Sequence, residues 1–426
     1  MERIQGISLT KIKIDTAWNC ADNYERLKMH NIHAYPAKFP AFIAKKAIEY
    51  AEEQGVMVND IADVFCGCGT VGLEASLANK NFWGYDINPV AVLIAKVKSN
   101  RYNSRQLEKI FVNIKSKYHS LRKKNKDCYG KVNKRINYWY TKQSCNELYC
   151  LQKSILLSTK NGKYRDAFLC VFSSILKKSS RWLGKSIKPQ IDPRKKDVCV
   201  FDVFEKQFKI FKNAVEERNQ DIYDSGSTHS VCRANSLQIR RKNFVDLIIT
   251  SPPYVTSYEY ADLHQLSTLW LNYVEDYREL RKGAVGSASV GEGYSVIINR
   301  LNRKGQEIIL QLEKTCRSSA KIKAIAKYYE DIQQVVIKCF AMLRAGGMAF
   351  FVIGDTEYKG VPIRNGEHLV LALREAGFTK IYGARRQISN KILTPYRDEI
   401  GKFTSDKSKR KIYHEEFIIV GRKEYE

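Results

Sequence analysis

A chain of 426 residues, 44% hydrophobic and 27% charged, can bury one large core or two or three smaller ones. Lys and Arg total 72 against 45 Asp and Glu, a net charge of +27, which predicts attraction to a polyanion such as nucleic acid or an anionic membrane surface. No apolar run reaches the roughly 18 residues that cross a bilayer, the first thirty residues lack the apolar segment of a signal peptide, and eleven unpatterned cysteines read as reduced thiols. These features predict a cytoplasmic protein without a membrane partner.

In chain order, Pro36 and Pro40 punctuate the start of a helix over 40–54, whose apolar positions include Phe42, Ile43, Ala47 and Ile48. Ile61 to Phe65 predicts a strand that runs into Gly67-Cys68-Gly69-Thr70-Val71-Gly72, followed by a helix over Leu73–Asn79. Phe82 to Ile87 predicts the next strand, with Asn88-Pro89 opening a helix through Ala91, Ile94 and Val97. Strand, glycine turn, helix and strand make a βαβ unit. Cys66 and Cys68 have no second Cys or His pair at zinc-finger spacing, so packing is the better reading of both.

Residues 101–200 then carry 25 Lys and Arg against 6 Asp and Glu, in a segment expected to be mostly helical. Aromatic residues stand among the bases, as in Tyr138-Trp139-Tyr140 and Arg181-Trp182. That mixture is expected where phosphates and exposed bases are both engaged, the plainer alternative being a solvated helical region around a small aromatic core. Val245 to Ile249 resumes the alternation as a buried strand. Gly283 to Gly293 reads as a mobile loop, and 323–344 as a long amphipathic helix ending at Gly346-Gly347. Met348 to Ile353 is a buried strand, Glu367 to Ala376 a helix stopped by Gly377, and Glu416 to Val420 a late strand.

Two motif sets carry chemistry. Gly67-x-Gly69-x-x-Gly72 lets a ligand approach the backbone, and Asp86, 17 residues after Gly69, is placed for ribose hydroxyls. Both a dinucleotide and S-adenosylmethionine present such a ribose, so these residues alone do not separate a dehydrogenase from a methyltransferase. Thr250-Ser251-Pro252-Pro253-Tyr254, directly after the buried strand, makes the choice. Two prolines supply carbonyls but no N–H, so the turn offers acceptors only, the Ser251 hydroxyl oxygen among them. An exocyclic base amine brings the complementary donors, and the flat ring of Tyr254 is placed to stack on the base, a task at which Phe should serve nearly as well. A dehydrogenase would need a proton-transfer group, and the nearest histidine, His264, reads better as a core or helix-capping residue.

These motifs resemble the amino-methylating DNA methyltransferases of the cytosine-N4 type. The resemblance rests on His33-Ala34-Tyr35-Pro36-Ala37-Lys38-Phe39, Asp63 to Thr70, Gly84-Tyr85-Asp86-Ile87-Asn88-Pro89 and Thr250 to Tyr254, with Gly346-Gly347-Met348, Arg364-Asn365-Gly366-Glu367 and Glu416 to Val420 later in the chain. It covers roughly 30–100 and 231–423. It implies an α/β, Rossmann-like class I fold with a mostly parallel central sheet and helices on both faces, plus a largely helical basic insertion. The expected division is a cofactor-binding half over 1–100, a basic target-recognition insertion over 101–230 and a catalytic half over 231–426. It further implies that Pro36, Ala37, Lys38 and Phe39 lie against the methionine part of S-adenosyl-L-methionine. Phe65, Gly67 and Gly69 form its loop, Asp63 and Thr70 belong to the same cofactor-binding set, and Asp86 holds the ribose. The catalytic residues are Ser251, Pro252, Pro253 and Tyr254. Where such enzymes often have an acidic residue for the adenine amine, this chain has Arg233-Ala234-Asn235-Ser236, in which the Asn235 amide oxygen can accept instead. The expected activity is site-specific methylation of a flipped cytosine at N4 in double-stranded DNA, within a restriction-modification system whose cognate endonuclease acts separately. The lack of a Pro-Cys pair argues against cytosine C5 chemistry. Adenine N6 is the main alternative, with an RNA methyltransferase and a NAD-dependent oxidoreductase behind it.

Overall fold

The computed structural model describes residues 1–19, 27–124, 132–184, 186, 188–221, 226–255, 260–286, 294–388, 396–397, 404–411 and 415–425. Its strands are β1 (Glu2–Arg3), β2 (Asp60–Asp63), β3 (Asn81–Asp86), β4 (His229–Arg233), β5 (Val245–Thr250), β6 (Leu343–Ile353), β7 (Thr356–Tyr358), β8 (Val361–Ile363), β9 (Lys380–Gln387), β10 (Tyr396–Arg397), β11 (Arg410–Lys411) and β12 (Glu415–Arg422). Eight of them form one sheet in the order β1-β9-β12-β6-β5-β2-β3-β4. The run from β6 to β4 is parallel, while β12 pairs antiparallel with both β6 and β9. This is the mostly parallel α/β sheet expected.

Helices cover both faces. α1 (Ala41–Glu53), α2 (Thr70–Leu77) and α3 (Pro89–Ser99) follow the first strands in turn. α3 starts sharply because the Asn88 side chain accepts the Val90 N–H and Pro89 occupies the first turn, where no N–H is needed. Successive side chains of β5 part to opposite faces: Leu247 and Ile249 join the α1 cluster, and Ile248 joins the cluster of the later helices.

The basic segment is helical: α4 (Ser104–Lys124), α5 (Lys134–Trp139), α6 (Lys142–Ser158), α7 (Lys163–Ile175) and α8 (Val200–Asp221). One structural correction falls here. Trp139, Tyr140 and Trp182 are buried, Trp139 stacks on Trp182 at 4.9 Å, and Phe111 stacks on Phe208 at 4.3 Å. These rings lie in one buried cluster that joins the insertion's helices to α3 and to Leu266, Leu269 and Trp270, because amphipathic helices must bury their apolar stripes. Tyr138, 49% exposed, is the one ring of those two clusters that stays at the surface, with the Arg135 guanidinium 4.8 Å from its centre. α8 closes the insertion against the sheet domain. Its buried Arg218 donates to the carbonyls of Lys98, Ser99 and Asn100 at the end of α3, and to the Ser76 hydroxyl.

After β5 come α9 (Tyr260–Leu263), α10 (Gln265–Trp270), α11 (Tyr294–Arg300), α12 (Arg303–Thr315), α13 (Ser319–Met342) and α14 (Asn365–Glu375). α13 stops at Met342, earlier than its glycine punctuation indicates, because Leu343 already pairs with Val245 and the glycine pair lies inside β6. Of the glycine-rich stretch 283–293, residues 287–293 lie outside the described residues. Among the described residues no helix is long and apolar enough to cross a membrane.

Candidate active site

The parallel strands β2, β3, β5 and β6 end at one edge of the sheet, which is where such folds keep their ligands. The loop after β2 is shaped by its glycines. Gly69 has φ +76°, and a Cβ there would come within 2.7 Å of Ala95 Cα; one on Gly72 would meet Phe82 at 2.6 Å. Gly67, at φ +48°, differs: a Cβ would meet only the Tyr35 ring, at 3.6 Å or more. Gly69 and Gly72 are therefore demanded by packing, and Gly67 by its left-handed backbone, beside which the Tyr35 ring leaves room.

Asp86 closes this loop from the end of β3. Its Oδ2 accepts the Gly67 N–H and its Oδ1 accepts the Asn88 N–H, each at 2.8 Å. Each carboxylate oxygen keeps a further lone pair for a ligand hydroxyl. Burial raises this carboxyl to about 6, against the two backbone hydrogen bonds that lower it. Asp63 is buried more deeply and is pushed up to about 7 by the same cause. Its Oδ1 accepts the Phe65 N–H at 3.0 Å and the Thr250 hydroxyl at 2.6 Å. Asp63 thus joins the glycine loop to the turn after β5. Phe65 is partly buried against the later-helix cluster, and Thr70 is buried at the start of α2.

The 36–39 segment turns into α1. Ala37 takes φ +52°, and Lys38 donates to the His30 carbonyl at 2.9 Å. Phe39 packs on the α1 cluster. Just before it, His33 lies buried, pulled down to about 4 by desolvation, with Nε2 2.9 Å from the Ser173 hydroxyl. The Ser173 hydroxyl in turn lies 2.7 Å from the Ser267 hydroxyl. One chain of side chains therefore joins the segment before α1, helix α7 of the insertion and helix α10 after the turn. Asn235 caps the short turn after β4: its amide oxygen accepts the Leu237 N–H and its amide nitrogen donates to Gly283 O.

At the end of β5 the Ser251 hydroxyl donates to Val352 O in β6, at 2.9 Å. Its single proton is thereby committed to backbone, and its lone pairs are left as acceptors. Pro252 is buried, while Ser251, Pro253 and Tyr254 are partly exposed. The Tyr254 ring lies over Gly354, where a Cβ would come within 3.3 Å of Cε2, and its hydroxyl donates to Glu416 Oε1 at 3.0 Å. Arg386 and Glu416 were not among the sequence-derived site residues, and no spacing in the chain announces them. His264 stands at the N-cap position of α10 without a side-chain capping bond. It is buried, stacked on Tyr35 at 4.8 Å, and held neutral by burial that lowers it to about 3. Among the described residues no group of His, Cys, Asp and Glu side chains is arranged to hold a metal ion.

Residues 5–97 match the family model N6_N4_Mtase, described as DNA methylase. The chain is 20% identical over 388 residues to the type II methyltransferase M.MvaI of Kocuria varians, covering 85% of this chain and 84% of that protein. It is 23% identical over 340 residues to M.BsoBI of Geobacillus stearothermophilus, covering 73% of this chain and 61% of that one. A shorter match, 34% identical over 109 residues, covers 25% of this chain and 20% of M.MjaII of Methanocaldococcus jannaschii.

Proposed function

We propose that this chain, whose residues 5–97 match a DNA methylase family model, methylates the exocyclic N4 amine of a cytosine flipped from double-stranded DNA, with S-adenosyl-L-methionine as donor. The similarity to type II methyltransferases supports a place in a restriction-modification system beside a separate endonuclease. The donor fits the residues present. Gly67 leaves space beside Tyr35, and Asp86 keeps lone pairs for ribose hydroxyls. Pro36, Ala37, Lys38, Phe39, Asp63, Phe65, Gly69, Thr70 and Asn235 complete the proposed cofactor-binding set. When bound, the donor supplies an activated sulfonium methyl.

The observation that carries the amine-methylating reading is the Ser251 hydroxyl bond to Val352 O, while the choice of cytosine over adenine rests on Ser at the first position of the turn. A cytosine amine is a poor nucleophile because its lone pair is delocalised into the ring. Ser251 Oγ, unable to donate elsewhere, accepts one amine hydrogen, and the Pro252 carbonyl accepts the other. The nitrogen then pyramidalises and recovers lone-pair density. Both acceptors strengthen as positive charge develops on nitrogen, which is transition-state stabilisation by fixed dipoles. Ser251 need not be a strong base, since the proton becomes acidic as the C–N bond forms and leaves to water. Tyr254 offers the ring on which the flipped base stacks.

The test is to incubate wild type and Ser251→Ala with methyl-labelled donor and unmethylated mixed-sequence DNA, and to identify the product nucleoside by mass spectrometry. N4-methylcytosine from wild type, with a rate lower by about 10²–10³ in the variant, is expected from loss of one such acceptor. N6-methyladenine would overturn the base assignment alone, and product on RNA but not on DNA would overturn the substrate.

A further inference from the structure

Tyr254 is more than a flat surface at the end of a strand. Its hydroxyl is tethered to Glu416 Oε1 at 3.0 Å, and Glu416 Oε2 accepts from Arg386 Nη1 at 2.7 Å. Glu416 and Arg386 are direct partners across β12 and β9, with side chains 15% and 3% exposed. The guanidinium also lies over the Phe42 ring, 5.3 Å from its centre, at the start of α1. A nearly buried arginine at the rim of a sheet is expensive unless something uses it, and a carboxylate held at both oxygens is fixed in direction. The same end of the ring approaches Gly354, where an added Cβ would lie 3.3 Å from Cε2 and 3.6 Å from Cζ. The ring is thus held near its tip by Gly354 on one side and by Glu416 at the hydroxyl.

We infer that Glu416, locked by Arg386, is a positioning residue for methyl transfer, fixing the plane of Tyr254 so that the flipped base stacks with its amine at Ser251 and Pro252. The inference rests on the base-methylating reading above. It makes the Tyr254 hydroxyl functional, whereas stacking alone needs only the ring. Freed from Glu416, the ring would pivot about its Cα–Cβ and Cβ–Cγ bonds. A displacement of about 1 Å at a reacting centre can cost on the order of a hundredfold in rate.

The test is a double-mutant cycle with Tyr254→Phe and Glu416→Gln, measuring kcat, KM for DNA and donor affinity on full-length protein. Gln keeps the size of Glu416 and, with its one amide oxygen turned to Arg386, presents an N–H where the Tyr254 hydroxyl had a charged acceptor, so it breaks that link without the unfolding that Glu416→Ala risks by stranding Arg386. Each single variant is expected to lose about tenfold in kcat, the worth of one hydrogen bond to a charged group, with donor affinity unchanged. The double variant should be no worse than either single one, because both remove the same link. Losses that multiply to about a hundredfold, a Phe variant with full kcat, or a loss confined to donor affinity would overturn the inference while leaving an active wild type and the base-methylating reading intact. A wild type that transfers no methyl to any base would instead remove that reading, and this inference with it.

Discussion

Arg218→Met would keep the side-chain stem and remove the guanidinium that ties α8 to the end of α3. The Lys98, Ser99 and Asn100 carbonyls and the Ser76 hydroxyl would lose their donor together. The three carbonyls are helix-end groups with no intrahelical partner. A buried acceptor left unsatisfied costs about 1–3 kcal/mol, and because the contacts to Ser99 and Asn100 are only part-buried the gross loss is about 5 kcal/mol. Against this, the wild-type guanidinium is itself strained by burial, which pulls it down to about 10. Relief of that penalty returns on the order of 3 kcal/mol. The net expectation is destabilisation by about 2 kcal/mol, read as a lower urea midpoint at unchanged slope. Arg218→Lys should recover only part of it, since an ammonium cannot reach three carbonyls and a hydroxyl with a planar fork. A loss below about 0.5 kcal/mol, or full rescue by Lys, would refute the view that this one side chain clamps the insertion to the sheet domain.

Donor affinity should weaken as pH falls through about 6, because Asp86 must be ionised to accept ribose hydroxyls and burial has raised it to that value. For folding the sign is opposite: between the ordinary carboxylate range and about 6 the folded state holds a proton that the unfolded state has released, so Asp86 favours folding as pH falls through that window. Calorimetry in buffers of different ionisation enthalpy should find proton release on donor binding near pH 6, and a flat affinity from pH 7.5 to 5 would count against Asp86 as the ribose ligand. Tyr254→Ala should cost roughly 1–3 kcal/mol of base binding, measured as loss of the fluorescence change of a base analogue at the target position. For the basic insertion, log affinity for DNA should fall linearly and steeply with log salt, and a salt-insensitive complex would remove phosphate contact from its role.

The βαβ unit and the catalytic strand were legible because their signals are local. Ile61–Phe65 and Val245–Ile249 are apolar runs stopped by Gly or Pro, and Asn88-Pro89 is a capping signal that the structure uses as such. β4 was missed because it is an edge strand with only Val231 buried, so its five residues lack an alternating pattern. β9 was missed for a different reason. Its Arg385 and Arg386 read as surface charge, and only pairing across the sheet with Glu416 allows Arg386 inside, while Arg385 stays partly exposed beside Glu415. The same blindness hid the tether on Tyr254, whose partner lies 162 positions away. Trp139, Tyr140 and Trp182 were misread because bases and aromatics interleave in sequence whether the rings face nucleic acid or one another.

The chain from His33 through Ser173 to Ser267 has a consequence for anyone who would exchange the insertion. A segment transplanted from another protein brings its own residue to position 173, between a neutral imidazole and a hydroxyl that stay behind. An apolar newcomer would strand both, and a carboxylate would face them without a cation. The workable joint in a chimaera therefore does not fall at the chain ends of the insertion, between α3 and β4. It falls inside α7, ahead of Ser173, so that Ser173 and the Arg218 clamp of α8 stay with their host while α4 to α6 change hands.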